Sequence, residues 1–471
     1  MTLAAPQAKT RQPSPSERLE LLCDAGSFLP LRSGALSSSV GEKAEPGDGV
    51  VVGAGRVGGR PVFCYAQDPR FMGGSLGEVH ADSIVRVMDL AGRAKAPVIG
   101  FIESGGARLQ EGHAALGGYG RIFRASVELS AQVPQISIIT GVSAGGGSYS
   151  PALTDFVLMT DQARMFLTGP RIVREALGEE VTMEELGGPA VHGQNGVCQL
   201  VAPSEADAVG LARELLALLP QRIGEPAPVA APAEATGDDP TAPVPAERRR
   251  VYDVRDVARR IVDGGRLLEL APRWASNMVT ALARIDGRPV GLVANQPWRF
   301  GGVIDAQAAE KAALFVQACD RFRIPLAVLV DTPGFMPGRR QESAGVIRHG
   351  ASLLRAFAGA TVPRVTVVLR KAYGGAVITM NSKDLGADMV FAWPGAEIGI
   401  MAAEQAVGVV HRRRLAAVDQ DGGVRADLAA AYAEDHLTAQ AAAASGFIDQ
   451  VIAPADTRER LGWAISSLED L

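Results

Sequence analysis

Along this chain the spacing of apolar positions changes in a fixed order, and the order occurs twice. Residues 50–68 read VVVGAGRVGGRPVFCYAQD, two runs rich in β-branched and aromatic residues around Gly58-Gly59, the pattern of a β-hairpin. Residues 278–296, MVTALARIDGRPVGLVANQ, have the same form with Asp286-Gly287 at the turn. A stretch of helical spacing follows each hairpin, Ser83–Arg93 in the first case and Ala308–Arg321 in the second. Next come unbroken apolar runs, VIGFIES (98–104) and LAVLVDT (326–332), which predict strands buried on both faces of a sheet. A second helix leads to another such run, QISIIT (135–140) or RVTVVL (364–369), and each of these ends at a Gly-Gly turn. Strands alternating with helices predict an α/β fold.

The two passages are copies of one another. GRPVFCYAQDP (59–69) returns as GRPVGLVANQP (287–297), an offset of 228, and at that offset Gly73-Gly74 meets Gly301-Gly302, Pro97 meets Pro325, and Gly106 meets Gly334. At offset 229, Val133-Pro134 meets Val362-Pro363 and Gly145-Gly146 meets Gly374-Gly375. A collinear series of this kind marks an internal duplication. Residues 1–18, rich in Pro, Ser and Ala, are expected to form a disordered tail, and residues 221–250, dense in Pro and Ala, a linker. Two domains, 19–220 and 251–471, remain.

Composition narrows the function. With 471 residues, 47% hydrophobic and 21% charged, the chain reads as a soluble globular protein. A net charge of −5 disfavours nucleic acid and anionic membranes as partners. Only six of the 47 basic residues are Lys, so cationic binding falls to Arg and a catalytic Lys has few candidates. Cys23, Cys64, Cys198 and Cys319 form no CxxC pair and suggest neither a zinc ribbon nor a disulfide framework; free thiols in a reducing cytoplasm are expected. No apolar run is long enough for a membrane span or a signal peptide, and a cytoplasmic location follows as the expectation.

Two motifs compete for attention. Gly53–Gly58 matches GxGxxG, but a dinucleotide site needs a helix next and the strand RPVFCYA comes instead. Gly141-Val142-Ser143-Ala144-Gly145 matches GxSxG in a strand–turn–helix setting, which would make Ser143 a hydrolase nucleophile, with His192 the nearest downstream histidine. The repeat partner, Arg370–Gly374, has no Ser there; both copies keep only the Gly-Gly. The six histidines show no metal-ligand spacing, and no GxxxxGK[ST] is present for ATP. What remains is glycine and backbone: Ser104–Arg108 and Ala144–Gly147, with their counterparts Asp331–Phe335 and Tyr373–Ala376. Glycine at a strand end lets backbone N–H groups face a ligand, and two such groups make an oxyanion hole.

These residues carry a resemblance. FMGGSLGE, SGGARLQEG, PQISIITG, AGGGSYSPALTDF, MFLTGP and MEELGGP resemble the N-terminal half of acyl-CoA carboxylase β (carboxyltransferase) subunits. VANQP, EKAALFVQACDRFRIPL, DTPGFMPG, RKAYGGA, FAWPGAEIGIM and GFIDQVI resemble the C-terminal half, so the likeness runs from about Leu19 to the end. It implies two tandem crotonase-like (ββα-superhelix) domains. It further implies carboxyl transfer from carboxybiotin, borne by a biotinylated partner, to a short-chain acyl-CoA, acetyl or propionyl, giving malonyl- or methylmalonyl-CoA. The biotin ureido nitrogen supplies the base, so the protein need only orient reactants and stabilise oxyanions. By this analogy the amides of Gly145 and Gly146 hold the thioester oxygen and those of Gly375 and Ala376 the biotin ureido oxygen. Gly105, Gly106 and Arg108 stand on the substrate side, and Ile378 lines the acyl end of the pocket. The resemblance also implies a hexamer in which the N-half of one subunit faces the C-half of another, with no metal or ATP on this chain. Departures occur at Arg340–Ser343, where relatives read DQEW, and at Met401–Val407, where they read MGAxGAV. Those departures leave room for a non-catalytic scaffold, and the fold for a decarboxylase subunit.

Overall fold

The structure is a computed structural model that describes residues 12–237, 239–247, 250–418 and 423–469. The chain forms two compact units. One runs to Ala217 and includes Gln221–Ile223; the other starts at Gly224 and includes Leu218–Pro220.

In the first unit β1 (Leu29–Leu31), β2 (Val50–Val57), β3 (Arg60–Gln67), β4 (Val98–Ser104), β5 (Gln135–Ala144), β6 (Phe156–Thr160), β7 (Arg164–Phe166) and β8 (Leu200–Ala202) make one sheet. Its order is β1-β2-β3-β4-β5-β6-β8, with β7 joined to β5. The expected hairpin is the antiparallel pair β2–β3, and from β3 to β8 the sheet is parallel. Every residue of β4 is buried, as its unbroken apolar run requires. The helices that bear on the site are α1 (Pro15–Leu22), α2 (Glu78–Ala94), α3 (His113–Ser130) and α4 (Gly146–Ala152). α2 buries Ala81, Ile84, Val87, Met88 and Ala91, and α3 buries Tyr119, Ile122, Ala125 and Leu129, the three-and-four spacing of one packed face. Strand β5 outruns the apolar stretch that predicted it because Val142–Ala144 leave β6 and pair with β7 instead.

The second unit repeats this plan. β9 (Leu268–Glu269), β10 (Met278–Ile285), β11 (Arg288–Asn295), β12 (Leu326–Thr332), β13 (Arg364–Tyr373), β14 (Met389–Ala392), β15 (Glu397–Gly399) and β16 (Gln450–Val451) lie in the order β16-β14-β13-β12-β11-β10-β9, with β15 joined to β13. Its corresponding helices are α5 (Ala306–Arg321), α6 (Val346–Gly359) and α7 (Gly375–Thr379).

Both presumed unstructured segments are more ordered than composition suggested. Helix α1 begins inside the expected tail, its N-terminus closed by a capping box between Ser14 and Glu17 with Pro15 at the first position. Arg18 of α1 is buried and paired with Glu103 and Glu205, so the tail ends before it; residues 1–11 lie outside the described residues. The Pro/Ala segment is not a free linker from Gly224 onward but a strap on the second unit. Ala230 N–H donates to the Gly287 carbonyl at 2.9 Å and Gly264 N–H to Glu234 at 2.9 Å. Two arginines satisfy carbonyls of this strap: Arg284 donates to Pro228 O at 2.8 Å and Arg458 to Ala233 O at 3.0 Å. Residues 238, 248 and 249 of that segment lie outside the described residues.

The GxGxxG stretch is the strand β2, and packing explains its glycines. A Cβ at Gly53 would strike the Leu29 carbonyl and the Phe28 ring, and one at Gly55 the Cys23 sulfur. All four cysteines are buried and none is in a disulfide. Among the described residues no helix is long and apolar enough to cross a membrane.

Candidate active site

Each unit carries its glycine turn at the C-terminal end of the central strand. After β5, Gly145 takes φ 57° and ψ −123°, a conformation open to glycine alone, and α4 begins at Gly146. After β13, Gly374 does the same at φ 63° and ψ −148°, and α7 begins at Gly375. Hydrogen bonding separates the residues of each turn. The Gly145 N–H donates to Phe166 O in β7 at 3.1 Å, and the Gly374 N–H to Gly399 O in β15 at 2.9 Å. Ser148 and Val377 then donate back to the carbonyls of Gly145 and Gly374, at 3.0 and 3.2 Å. The first helical turns open with the N–H groups of Gly146 and Gly147 in one unit and of Gly375 and Ala376 in the other, positions with no acceptor inside their own helix. In the second unit this is the pair read from sequence. In the first unit it moves by one residue: Gly145 bends the chain but its donor is already used, and Gly147 takes its place.

The supports beneath the turns repeat as well. Gly106 N–H donates to Ser104 Oγ and Gly334 N–H to Thr332 Oγ1, both at 3.2 Å. The carbonyls of Gly106 and Gly334 accept from Leu76 at 2.8 Å and from Ile304 at 3.0 Å. This fixes the Gly105-Gly106 loop against the end of β5, where a Cβ on Gly106 would lie 3.5 Å from the Ala144 carbonyl. The Gly105 N–H is spent on Gly73 O at 3.0 Å, so neither Gly105 nor Gly106 offers a donor to a ligand. Arg108 is not on a binding surface. It is buried, with its guanidinium against Asp48 at 2.7 Å, Glu111 at 2.8 Å and the Ser75 carbonyl at 3.1 Å, and it locks the loop from behind. Ile378 lies on α7 just past the second turn and is 46% exposed.

Charges near the strand ends are engaged in structure. Burial raises the pKa of Glu103, while Arg18 at 3.0 Å pulls it down. Burial likewise raises that of Asp331 at the end of β12, against the pull of Arg370 at 3.0 Å and of Lys371. His80 is buried with its ring near Asp48 O and Gln67, and burial holds its pKa down to about 3, so it stays neutral. Among the described residues no group of three or more His, Cys, Asp and Glu could hold a metal ion.

The hydrolase reading of Ser143 fails on geometry. Ser143 lies within β5, wholly buried and paired with Ser104 and Met165, two residues before the left-handed turn that an elbow nucleophile would occupy. His192 is engaged elsewhere, its Nε2 2.6 Å from Met165 O. We expect Ser143→Ala to keep carboxyl-transfer activity within about twofold and to cost no more than about 1 kcal/mol, since its one bond to Ile102 O is long at 3.5 Å. A steady-state assay beside a denaturation curve checks both.

Against this geometry, comparison with known proteins is direct. A family model for the carboxyl transferase domain matches residues 9–470. The chain belongs to this family. It is 48% identical over 423 residues to the methylmalonyl-CoA carboxyltransferase 12S subunit of Propionibacterium freudenreichii subsp. shermanii, covering 89% of this chain and 81% of that protein. It is 45% identical to the propionyl-CoA carboxylase beta chain of Saccharopolyspora erythraea, over 96% of this chain and 87% of the relative. The crystal structure of the transcarboxylase 12S hexamer with methylmalonyl-CoA and methylmalonic acid bound superposes with a TM-score of 0.93 at 46% identity, covering 97% of this chain and 89% of that one. This family member is therefore a carboxyltransferase built from two crotonase-like domains. Ser104 and Gly147 lie in the two stretches that the sequence singled out but received no role there, and Tyr119 was not singled out. The offset of 229 that aligns the two Gly-Gly pairs also sets Gly147 opposite Ala376, and that was the available signal.

Proposed function

We propose that the chain moves a carboxyl group from carboxybiotin on a partner protein to the α-carbon of a short-chain acyl-CoA, propionyl-CoA ahead of acetyl-CoA, giving methylmalonyl-CoA as the main product. The observation that carries this reading is one glycine turn in each unit that opens a helix with a pair of N–H donors, Gly146 with Gly147 and Gly375 with Ala376. The first pair would hold the thioester oxygen as it gains charge on loss of the α-proton. The second would hold the ureido oxygen. Donors fixed in advance on folded backbone need no reorganisation when that charge develops, which is why they lower a barrier. The second turn fits a ring system: nothing lies within 4 Å of a Cβ built on Gly375, and the half-exposed Ile378 borders it. Biotin bound there supplies the transferable carboxyl group and a basic nitrogen. The chain's residues supply position and polarisation. The names of the relatives support propionyl-CoA as substrate and a homo-oligomer, hexameric as in the 12S structure, as the assembly, and the name biotin-dependent acetyl-/propionyl-coenzyme A carboxylase beta5 subunit, carried by a relative 46% identical, supports a biotinylated partner. We place this activity in the cytoplasm.

The test is methylmalonyl-CoA formation from propionyl-CoA with a carboxylated biotin carrier, run beside acetyl-CoA. Ala376→Pro deletes one donor of the second turn at a helix position that tolerates proline. It should lower transfer about 100-fold or more with both acyl-CoAs. Full activity in that variant would sink the assignment of the second turn, and absence of transfer in the unaltered complex would sink the function.

A further inference from the structure

Beneath the first turn lies a side chain that the duplication does not repeat. Tyr119 of α3 is buried, and its ring forms the floor under Gly146: a Cβ built there would lie 2.7 Å from the ring carbons. A Cβ on Gly147 would come within 3.5 Å of the Tyr119 hydroxyl and 3.2 Å of Ser104 Cβ. That hydroxyl is 3.1 Å from Ser104 Oγ, which also accepts the Gly106 N–H at 3.2 Å. One phenol thus joins α3, the end of β4 and the loop after it, against Gly146 and Gly147. Burial raises the Tyr119 pKa, so the phenol keeps its proton at neutral pH. The ring also begins an aromatic row, 5.8 Å to Phe123 and then 6.3 Å, edge-on, to Tyr149 on α4 itself. The helix that carries the turn is thereby fastened to α3 beyond its first residue. In the second unit the positions at the corresponding offsets are Ile347 and Arg348, which have no hydroxyl, and the space beside Gly375 is open.

We infer that Tyr119 is a positioning residue for the first turn, holding the Gly146 and Gly147 N–H groups at the angle that serves the developing thioester oxyanion. This rests on the reading that the first turn binds that oxygen. Ring and hydroxyl have separable parts. The ring sets the height of Gly146; the hydroxyl, through Ser104, fixes the Gly105-Gly106 loop relative to α4. A donor displaced from its best line loses more in the transition state, where the oxygen is charged, than in the ground state, so the effect belongs in kcat.

The experiment uses the complete complex with its biotinylated carrier. Tyr119→Phe should lower kcat for propionyl-CoA about tenfold or more and leave KM within about twofold. The thermal midpoint and the rate of carboxybiotin decarboxylation without acyl-CoA should stay at wild-type values. Ser104→Ala should reproduce that profile. An unchanged kcat in Tyr119→Phe overturns the proposal. So does an equal loss in both reactions together with a lowered thermal midpoint, because that is what a purely structural role gives. Gly146→Val, run in parallel, separates this from the underlying reading. Full transfer in Gly146→Val would remove the first turn from the site altogether, whereas loss there with wild-type kcat in Tyr119→Phe removes Tyr119 alone.

Discussion

Gly146→Val eliminates carboxyl transfer to acyl-CoA. Two effects act together. The added Cβ would sit 2.7 Å from the Tyr119 ring, inside the closest approach real side chains allow, and that ring is buried with no space to retreat. Either the ring or the turn must move. The Gly146 and Gly147 N–H groups then leave the thioester oxygen. Loss of one preorganised donor costs about 100- to 1,000-fold in rate, and displacing both should exceed that. The contrast with the second unit sharpens the test, because a Cβ on Gly375 meets nothing within 4 Å. Gly146→Ala should therefore lower the thermal midpoint while Gly375→Ala leaves it in place. Overlapping melting curves for those two variants would show that the ring under Gly146 gives way and would remove the steric part of the argument.

Lys311→Met destabilises the second unit by about 3–5 kcal/mol, the cost of leaving buried polar groups without their partner. Lys311 lies on α5 with 3% of its surface exposed, and its ammonium donates to three carbonyls: Ala271 at 2.9 Å, Trp274 at 2.9 Å and Met278 at 2.8 Å. The loop that presents them takes positive φ at Ala271 (49°) and Ala275 (42°), conformations that L-residues adopt only at a cost of about 1–2 kcal/mol each. The ammonium thus holds a strained loop inward at the entry to β10. Methionine has nearly the same length but no donor. Denaturant unfolding of the two proteins measures the difference, and coincident midpoints would show that the loop holds itself.

The pH dependence of Lys311 has a definite sign. Burial pushes its pKa from 10.5 down to about 8. Below pH 8 both folded and unfolded chains carry the proton, and the burial penalty, about 3 kcal/mol, is fully present. Between about pH 8 and 10.5 the unfolded chain keeps a proton that the folded chain has released, so stability from this group rises with pH. The gap between wild type and Lys311→Met should widen from pH 7 to pH 10 by about 2–3 kcal/mol. A gap that narrows would mean that the three carbonyls hold the charge more firmly than burial opposes it.

The elements most legible in the sequence were those whose burial is uniform. Val98–Ser104 and Leu326–Thr332 appear as β4 and β12 with unchanged ends, because a strand covered on both faces stays apolar until its last two residues, here Glu103-Ser104 and Asp331-Thr332. Helix starts were less legible: α2 begins at Glu78, five residues before the apolar spacing announces it, since its first turn lies partly in solvent. The order in α1 was written in a capping box, Ser14 to Glu17, hidden among prolines and serines that look like tail. For the Pro/Ala strap composition gave the wrong answer: a chain poor in apolar side chains can still be held when arginines elsewhere, here Arg284 and Arg458, satisfy its carbonyls.

By itself the sequence determined the duplication, the alternation of strand and helix, and a glycine turn at the end of each central strand. These follow from local chemistry: period, burial on both faces, and a backbone conformation that only glycine adopts. Tertiary structure decided which N–H groups at those turns are available. Gly145 and Gly146 look alike in the sequence, but β7 packs beside β5 and takes the Gly145 donor through Phe166, leaving Gly146 and Gly147. It also decided that Arg108 faces Asp48 and Glu111, and that a tyrosine ring from α3 lies against Gly146 while the space beside Gly375 is open. Those facts depend on residues distant in the chain, and no spacing rule within a segment encodes where a distant carbonyl or ring will come to rest.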